Sequence, residues 1–359
     1  MAYRGTSLLV PSVKELLAKQ PITQVPERYV RPDQEPPLVS NTHTASLSQQ
    51  VPIIDLHKLL SEHDSHELQK LDRACKEWGF FQLINHGVNP SLVENMKKGV
   101  QDLFNLPIEE KKKLWQTPEV GQGFGQAFVV SEEQKLEWAD LFYINTFPLN
   151  KRNTSLIPSI PQPFRDNLDA YCSELKNICV TIIGLMEKAL KTETNELVEL
   201  FEDTSQGMRM NYYPPCPQPE KVIGLNPHSD SGAFTILLQV NEMEGLQIRK
   251  DGIWVPIKPL SNAFVINIGD MLEILTNGIY RSIEHRAMVN SEKERISIAA
   301  FHRPTMDGIL GPATSLVTSQ RPALFRKVGV ADYLNGFLSR ELRGKSYLDV
   351  FRIQDEIGK

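Results

Sequence analysis

The sequence predicts a mainly β protein with surrounding α-helices, and three observations support this fold class. From Met208 to His302 the chain is a series of short β-like runs interrupted by turn signals. On both sides of this region the apolar residues follow helical spacing. The strands do not alternate with helices, as they would in βαβ units. Many short strands in succession therefore favour a sandwich or a barrel with helices around it.

The chain before this region divides into an extension and a mostly helical part. Residues 1–50 are polar and contain prolines, with one short amphipathic piece at 13–17. We expect residues 51–205 to form an N-terminal region of helices and edge strands. Its predicted elements are strands at 51–56 and 80–84 and helices at 66–78, 91–104, 108–115 and 162–200.

Residues 206–305 form the predicted β core, and residues 306–359 follow as a C-terminal helical segment packed on it. Asp251-Gly252 and Gly269-Asp270 read as turns inside the core. The predicted strands are 235–240, 246–249, 254–257, 263–268, 280–289 and 295–301, and the final helix is predicted at 330–351.

Charge and composition restrict the class of protein. The 359 residues carry a formal net charge of −5, and no basic stripe suggests a nucleic-acid binder. Four cysteines without a CxxC pair indicate a reducing compartment, and no apolar run is long enough to cross a bilayer. We expect a cytoplasmic monomer that binds a small-molecule substrate and has no nucleic-acid or membrane partner.

A possible metal site begins at His228-Ser229-Asp230, the one His-x-Asp sequence in the chain. Residues two apart in a strand point to the same side, so this imidazole and carboxylate converge. His285 lies in another strand-like run and is the candidate third ligand. Two histidines and one carboxylate form the facial triad of oxygen-activating iron(II) sites, which leaves open coordination positions. A surface or core histidine is the alternative for an isolated His-x-Asp.

A possible anion site follows at Arg295 and Ser297. Folding residues 290–294 as a hairpin turn would pair Val289 with Arg295 and His285 with Ala299, so that His285, Arg295 and Ser297 share a face. A guanidinium can hold a dicarboxylate through two hydrogen bonds, and the serine hydroxyl can add a third donor. The alternative is an exposed arginine that ends a strand.

A third polar group is expected from the strand before the metal motif. Strand alternation places Arg209, Asn211 and Tyr213 on one face. The amide and the phenol there could orient the same dicarboxylate. Ordinary core aromatics are the alternative for the two tyrosines at 212 and 213.

Together these residues resemble the plant 2-oxoglutarate- and iron(II)-dependent dioxygenases. His228 and Asp230 are followed by His285 and then by Arg295-Ile296-Ser297, as in that family. Within it, the chain looks closest to the senescence-related-protein-like branch, which includes the opium-poppy alkaloid O-demethylases. The resemblance runs from about residue 50 to 350, and three further stretches carry it: 75–88, 210–217 and 276–286.

The resemblance implies a fold, a set of cofactors and a role for each matching residue. The fold would be a distorted double-stranded β-helix, or jelly-roll, flanked by helices. His228, Asp230 and His285 would bind Fe(II), with 2-oxoglutarate and O2 as co-substrates and ascorbate as reductant. Arg295 and Ser297 would hold the distal carboxylate of 2-oxoglutarate, and Tyr213 and Asn211 would contact the same molecule.

The substrate pocket is predicted less directly. Phe301 continues the inward parity of 295, 297 and 299, and Arg209 shares the face of Asn211. Leu141 and Tyr143 fall where relatives line the pocket. Residues 121–128 form a possible lid with Phe124 and Phe128, and core packing is the alternative for each. The residues that we assign to the pocket are Phe301, Leu141, Tyr143, Phe124, Phe128 and Arg209.

The implied activity is oxidation of a small aromatic or alkaloid specialised metabolite by hydroxylation or O-demethylation. The motifs do not separate these reactions from a flavonoid hydroxylase or desaturase, because all share the same iron chemistry. An ascorbate-dependent oxidase that does not use 2-oxoglutarate has nearly the same motifs. A binding module without catalysis would be expected to lack one of the ligands.

Overall fold

Two facing β-sheets form the centre of the protein in a computed structural model. The larger described sheet has eight strands in the order β1-β2-β10-β7-β12-β5-β4-β3, and the smaller has four in the order β6-β11-β8-β9, as defined below. The described residues are 8–19, 22–32, 50–61, 65–117, 121–126, 128–192, 195–342 and 344–353.

The strands are short, as the frequent turn signals predict. Those within the described residues are β1 Ile53–Asp55, β2 Phe80–Ile84, β3 Gly123–Gly125, β4 Asp140–Phe147, β5 Ser205–Tyr213, β6 Leu225–His228, β7 Phe234–Gln239, β8 Leu246–Lys250, β9 Ile253–Pro256, β10 Phe264–Ile268, β11 His285–Ala287, β12 Arg295–Arg303, β13 Ile309–Leu310 and β14 Val328–Gly329.

The helices lie before and after the strands of the core, with one short helix inside it. In the described part of the chain they are α1 Val13–Lys19, α2 Leu56–Leu59, α3 Ser65–Arg73, α4 Pro90–Asn105, α5 Ile108–Lys112, α6 Gln162–Leu190, α7 Glu196–Glu199, α8 Asp270–Leu275, α9 Val330–Leu338 and α10 Ser346–Asp349. A π-helical turn, Ala74–Trp78, continues α3.

The long helix α6 covers the outer face of the larger sheet. Its buried residues recur every three or four positions, which gives one apolar face. This face packs against β7 and β12 and against α3 and α4. The buried residues along it include Leu168, Cys172, Leu175, Cys179, Ile182 and Met186. The outer face of the sheet is therefore sealed, and its inner face is left to form a cavity.

The arrangement is a distorted jelly-roll with flanking helices, as the resemblance implied. Strand β12 lies between β5 and β7 in the larger sheet, and β11 lies between β6 and β8 in the smaller one. The inner faces of both sheets line one cavity. Apolar side chains on the outer face of the larger sheet form the main core with α6 and α4.

The hairpin predicted between His285 and Ala299 is wrong. His285 pairs with His228 in the smaller sheet, and Ala299 pairs with Arg209 and Leu237 in the larger sheet. The chain crosses from one sheet to the other between β11 and β12. The predicted strand 280–289 is correspondingly reduced to β11, because residues 281–284 do not pair as a strand.

The turn predicted at Gly269-Asp270 is also wrong in kind. Gly269 has an extended backbone and precedes α8, in which every residue is buried. Because even its two carboxylates, Asp270 and Glu273, are buried, this helix has no exposed polar face from which periodicity could reveal it.

A buried carboxylate helps to attach the N-terminal helix α1 to the domain. Asp140 accepts hydrogen bonds from Ser12 Oγ at 2.7 Å, Val13 N at 2.8 Å and Lys14 N at 3.0 Å. Three donors compensate for burying this charged group. Asp140 thus attaches part of the N-terminal extension to β4.

Among the described helices, none is long and apolar enough to cross a bilayer.

Candidate active site

The candidate metal centre lies where two strands of the smaller sheet meet. His228 ends β6, His285 begins β11, and the two residues are paired across the strands. Directly paired residues place their side chains on the same face of a sheet. The two imidazole rings therefore face each other with centroids 4.2 Å apart. Asp230 follows His228 by two residues and completes the buried group.

Backbone carbonyls orient both imidazole rings. Nδ1 of His228 lies 2.7 Å from the carbonyl oxygen of Asn226, and Nδ1 of His285 lies 3.1 Å from that of Ile283. A carbonyl only accepts, so each Nδ1 carries the proton and donates it. Each Nε2 then has its lone pair available for a metal ion, which is the tautomer found in many metal sites.

The carboxylate of Asp230 is oriented by two polar side chains of the larger sheet. Thr235 Oγ1 donates to Oδ2 at 2.6 Å, and Asn267 Nδ2 donates to the same oxygen at 2.7 Å. The other oxygen, Oδ1, lies 3.5 Å from Nε2 of His228 and 3.7 Å from Nε2 of His285. Three ligand atoms, two from the segment 228–230 and one from His285, therefore converge.

The electrostatics of the group favour a neutral imidazole at His285 beside an ionised carboxylate. Burial lowers the pKa of His285 to about 4, and His228 adds to this effect. Burial alone would raise the pKa of Asp230, but both histidines and the Thr235 hydroxyl outweigh it and lower the pKa. Metal ligands must be deprotonated in this way.

These residues fit an iron(II) ion. The distances from Oδ1 to the two Nε2 atoms exceed hydrogen-bond length, yet an ion about 2.1 Å from each ligand atom could touch both. Two imidazoles and one carboxylate are the donor set of non-haem Fe(II) oxygenases. The three ligands leave coordination positions that face the cavity.

The candidate co-substrate site lies on the facing strands β5 and β12. Arg295 is paired with Tyr213, and Ser297 is paired with Asn211, so all four side chains share the inner face. All four residues are buried. Asn211 Nδ2 donates to Ser297 Oγ at 3.3 Å, and the Arg295 guanidinium lies 5.2 Å from the Tyr213 ring centroid.

Several polar atoms at this site have unused hydrogen-bonding capacity. Nε of Arg295 and Oδ1 of Asn211 are buried and have no hydrogen-bond partner. The bond from Arg295 Nη2 to Gln239 Oε1 is long, at 3.4 Å. Burial raises the pKa of Tyr213, while Arg295 and Arg209 oppose that shift. A buried guanidinium without a carboxylate partner suits an anionic ligand such as the distal carboxylate of 2-oxoglutarate.

One cavity, with a volume of about 190 Å³, joins the two candidate sites. Its described lining includes the residues of both sites and five of the six residues predicted for the substrate pocket. These five are Phe301, Leu141, Tyr143, Phe128 and Arg209.

Phe124 does not line the cavity and lies in the core instead. It belongs to β3 and pairs with Phe142, whose side chain points away from the cavity side of β4. Its ring packs against Phe142 at 5.0 Å and Phe104 at 5.6 Å. Strand alternation explains this position, because the neighbours of Phe142, Leu141 and Tyr143, face the cavity.

Several cavity residues were missed in the sequence. Thr235 and Asn267 hold Asp230 but belong to no motif that we recognised. Arg303 is not one of these, because the alternation that identifies Phe301 extends to Arg303, and this residue lines the cavity. The C-terminal segment contributes Phe337, Leu338 and Leu342, for which the sequence provides no local signal.

Two family models match the chain. Residues 204–304 match the 2OG-Fe(II) oxygenase superfamily. Residues 51–162 match a family described as the non-haem dioxygenase in morphine synthesis N-terminal region. The two matches cover the strand-rich core and the region before it.

Plant proteins are similar to this chain over nearly its whole length. Protein SRG1 of Arabidopsis thaliana is 54% identical, over 98% of this chain and 99% of the relative. Oxoglutarate-dependent flavonoid 7-O-demethylase 1 of Ocimum basilicum is 53% identical, over 98% and 93%. Codeine O-demethylase of Papaver somniferum is 49% identical, over 97% and 98%.

The fold also matches a solved structure with ligands. The crystal structure of JOX2 in complex with 2OG, Fe and JA has a TM-score of 0.87 and 33% sequence identity. The match covers 96% of this chain and 98% of JOX2.

Proposed function

Because this chain belongs to the family of 2-oxoglutarate- and Fe(II)-dependent oxygenases, we propose that it removes a methyl group from a small methoxylated aromatic metabolite. The chain is a 2-oxoglutarate-dependent dioxygenase and uses iron(II), 2-oxoglutarate and O2.

In this proposal, His228, Asp230 and His285 hold the iron ion. Their Nε2 and Oδ1 atoms converge, while the carbonyls of Asn226 and Ile283 keep both rings in the required tautomer. Bound iron supplies the oxidising chemistry, with 2-oxoglutarate converted to succinate and CO2. The protein supplies ligand geometry and a site sheltered from water.

Arg295, Ser297, Asn211 and Tyr213 orient 2-oxoglutarate. The guanidinium of Arg295 would bind the distal carboxylate through two nitrogen atoms, and Ser297 would donate one more hydrogen bond. The unpartnered atoms of Arg295 and Asn211 support this role, since a bound dicarboxylate would give Arg295 its missing counter-charge.

The observation that carries the substrate proposal is the wall of the cavity beyond the metal ligands. Apolar and aromatic side chains from the strands and from the C-terminal segment surround this space, and a planar methoxylated ring would pack against them. They are Leu141, Phe128, Phe301, Phe337, Leu338 and Leu342. Similarity to demethylases that are named for flavonoid and codeine substrates supports the same class.

The proposed reaction consumes one O2 for each methyl group. One oxygen atom enters succinate and the other is inserted at the methyl carbon. The hydroxyl group of the resulting hemiacetal loses its proton, the bond between its carbon and the aryl oxygen breaks, and that oxygen gains a proton as formaldehyde leaves. The products are a phenol, formaldehyde, succinate and CO2.

Two aromatic rings would cover the cavity during this reaction. Phe128 and Phe337 meet edge to face at a centroid distance of 5.7 Å. We propose that residues 121–128 act as a lid together with α9, which would exclude water from the reacting atoms. Residues 118–120 and 127 lie outside the described part of the chain.

We further propose a cytoplasmic monomer that uses ascorbate to keep its iron reduced. The four cysteines are free and buried, which suits a reducing compartment.

The test is a panel of methoxylated flavonoids and alkaloids incubated with the protein, Fe(II), 2-oxoglutarate and ascorbate. O-demethylation predicts one formaldehyde per succinate and a product 14 mass units lighter than the substrate, from loss of CH2. A product 16 units heavier without formaldehyde would instead indicate hydroxylation and overturn the proposed reaction. Boiled protein and a reaction without 2-oxoglutarate are the controls.

A further inference from the structure

A second cationic group lies at the opposite end of the cavity from Arg295. Arg303 is eight residues beyond Arg295 on β12, and both face the cavity. At about 3.3 Å per residue, their backbones are roughly 26 Å apart. Asp230 accepts a hydrogen bond from Thr235, and Thr235 is paired with Phe301, which lies between Arg295 and Arg303 on β12. The metal ligands therefore separate the co-substrate end from the Arg303 end.

Arg303 is held in place by Tyr143. Its Nη2 donates to the Tyr143 hydroxyl at 3.1 Å, and that hydroxyl donates to Asn145 Oδ1 at 2.9 Å. Gly207 makes room for this pair, because a Cβ there would lie 2.2 Å from the hydroxyl and 2.8 Å from Nη2. The guanidinium of Arg303 is thus positioned against the backbone of Gly207, which has no side chain.

Arg209 adds a second buried charge beside this pair. It is 8% exposed and lines the cavity, and its Nε has no hydrogen-bond partner. Arg209 is paired with Tyr143 on one side and with Ala299 on the other. Among the described residues, no carboxylate forms an ion pair with it. A buried guanidinium without a counter-charge is unfavourable unless a ligand supplies one.

The charges of the lining are unbalanced in one direction. Four arginines line the cavity, at 209, 286, 295 and 303, whereas Asp230 is the one carboxylate in the described lining. Iron(II) and the 2-oxoglutarate dianion carry equal and opposite charges, so their binding adds no net negative charge to balance that of Arg209, whose Nε has no hydrogen-bond partner. At low dielectric this charge repels an ammonium group and attracts an anion.

We infer that the substrate carries an acidic oxygen, a phenolate or a carboxylate, which Arg303 and Arg209 bind while a methoxyl group faces the metal ligands. The inference rests on the proposed function and narrows it to acidic methoxylated aromatics. Methoxylated compounds whose ionised group is an amine are poor substrates in this case. Tyr143 is a positioning residue for Arg303.

The first test measures binding without oxygen, using the full chain loaded with Mn(II) and 2-oxoglutarate. One probe set is 4-methoxycinnamate, its methyl ester and 4-methoxyphenethylamine. The other is a methoxyflavone with a free 7-hydroxyl group and its 7-methyl ether. We expect the carboxylate or the free phenol to bind at least about tenfold tighter than its neutral partner, and the amine to bind most weakly. Equal affinities, or tighter binding of the amine, would overturn the inference.

The two probe sets distinguish the source of the acidic oxygen. Affinity for the free phenol should rise with pH through the probe's own ionisation, whereas affinity for the carboxylate should stay constant near neutral pH. A phenol that binds equally well before and after ionisation would contradict charge recognition.

Variants then locate the recognition. Arg303→Met and Arg209→Met should each reduce the preference for the acidic probe severalfold, and Arg303→Lys should retain part of it because the charge remains. Arg249→Met is the control, since Arg249 is outside the cavity lining and pairs with Glu284. Thermal unfolding establishes that each variant is folded. An unchanged preference in both methionine variants would refute these residue roles.

Failure of the inference and failure of the proposed reaction are distinguishable. If acidic probes bind preferentially but no methoxylated compound yields formaldehyde, O-demethylation is wrong and acidic recognition stands. If amine-bearing compounds are demethylated at least as well as acidic ones, the reaction stands and the inference is wrong.

Discussion

Thr235 donates a hydrogen bond of 2.6 Å to Oδ2 of Asp230 and so leaves Oδ1 directed toward His228 and His285. Thr235 belongs to the larger sheet, whereas both histidines belong to the smaller one. The orientation of Asp230, which follows a strand of the smaller sheet, thus depends on a hydroxyl of the larger sheet.

Removing this hydroxyl should weaken iron binding. Substituting Thr235→Val keeps the shape of the side chain but frees Asp230 to rotate, and loss of such an outer contact typically costs about 10- to 100-fold in metal affinity. The measurement is a titration of the metal-free protein with Fe(II) under nitrogen. Thr146→Val is the matched control, because this buried threonine bonds to Gln206 outside the cavity lining. Equal affinity in the two variants would remove Thr235 from its role.

Loss of either histidine ligand should abolish turnover. With His228→Ala or His285→Ala, one imidazole and one carboxylate remain, too few to fix the metal as the three-ligand site does. The measurement is succinate formation from 2-oxoglutarate in metal-controlled buffer. His57→Ala, at an exposed position, should behave like the unchanged protein. Succinate at normal rates from a ligand variant would refute the assignment.

A lysine in place of Arg295 should raise the apparent KM for 2-oxoglutarate. An ammonium group cannot reproduce the two parallel hydrogen bonds of a guanidinium. Losing one charge-assisted bond costs about 1.5–3 kcal/mol, which corresponds to roughly 10- to 100-fold. The dependence of succinate formation on 2-oxoglutarate concentration measures the effect, with Arg249→Lys as control. An unchanged dependence would exclude Arg295 from co-substrate binding.

The stability of the protein should fall with acid because of His302. This residue is fully buried, and its Nε2 lies 2.8 Å from Nε2 of Gln206. Burial lowers its pKa from the ordinary 6.5 to about 3. Below pH 6.5 the unfolded chain binds a proton that the folded protein does not bind until about pH 3, so acid favours unfolding in this window.

The contribution of His302 should approach about 1.4 kcal/mol per pH unit within this range. Urea unfolding at pH 7.5 and pH 5 measures it. His302→Gln should reduce the loss of stability between these values, whereas His57→Gln, at an exposed position, should leave it unchanged. A loss of the same size in all three proteins would show that other groups cause the acid sensitivity.

Asp140→Ala should release the N-terminal helix. The change removes the acceptor for Ser12 Oγ, Val13 N and Lys14 N and should cost about 2 kcal/mol or more. Limited trypsin digestion should then cleave at Lys14 and Lys19 before the rest of the domain is degraded. Asp203→Ala changes an exposed carboxylate and should not alter the digestion. Identical cleavage rates would contradict the anchoring role.

The alternation of side chains along a strand predicted which residues face the cavity better than it predicted which strands pair. The hairpin between His285 and Ala299 does not exist, yet Arg295, Ser297 and Phe301 all face the cavity. Alternation along β12 depends only on the strand itself, so an error in its partner leaves the inward face unchanged. Parity within β4 also explains Leu141 and Tyr143, but the segment with Phe124 had no strand frame from which to assign a face.

Contacts between distant segments could not be predicted in the same way. Thr235, Asn267 and Leu342 reach the site through tertiary packing, and nothing in their local sequence distinguishes them from ordinary strand or loop residues. The helix α6, by contrast, was evident because its apolar face repeats over 29 residues. Periodicity within one helix or strand can be predicted from the sequence, whereas contacts between distant elements are known only from the folded structure.

Because the chain crosses from one sheet to the other between β11 and β12, residues close in sequence face the cavity from both sheets, and a ligand in the cavity can contact both. His285 and Arg295 are ten residues apart in the chain but sit on opposite layers. A ligand bound by both residues would bridge the two sheets. Separating the sheets would then require breaking the contacts between the ligand and the protein. The protein with a ligand in the cavity should therefore resist unfolding more than the ligand-free protein, and its free energy of unfolding should rise with ligand concentration.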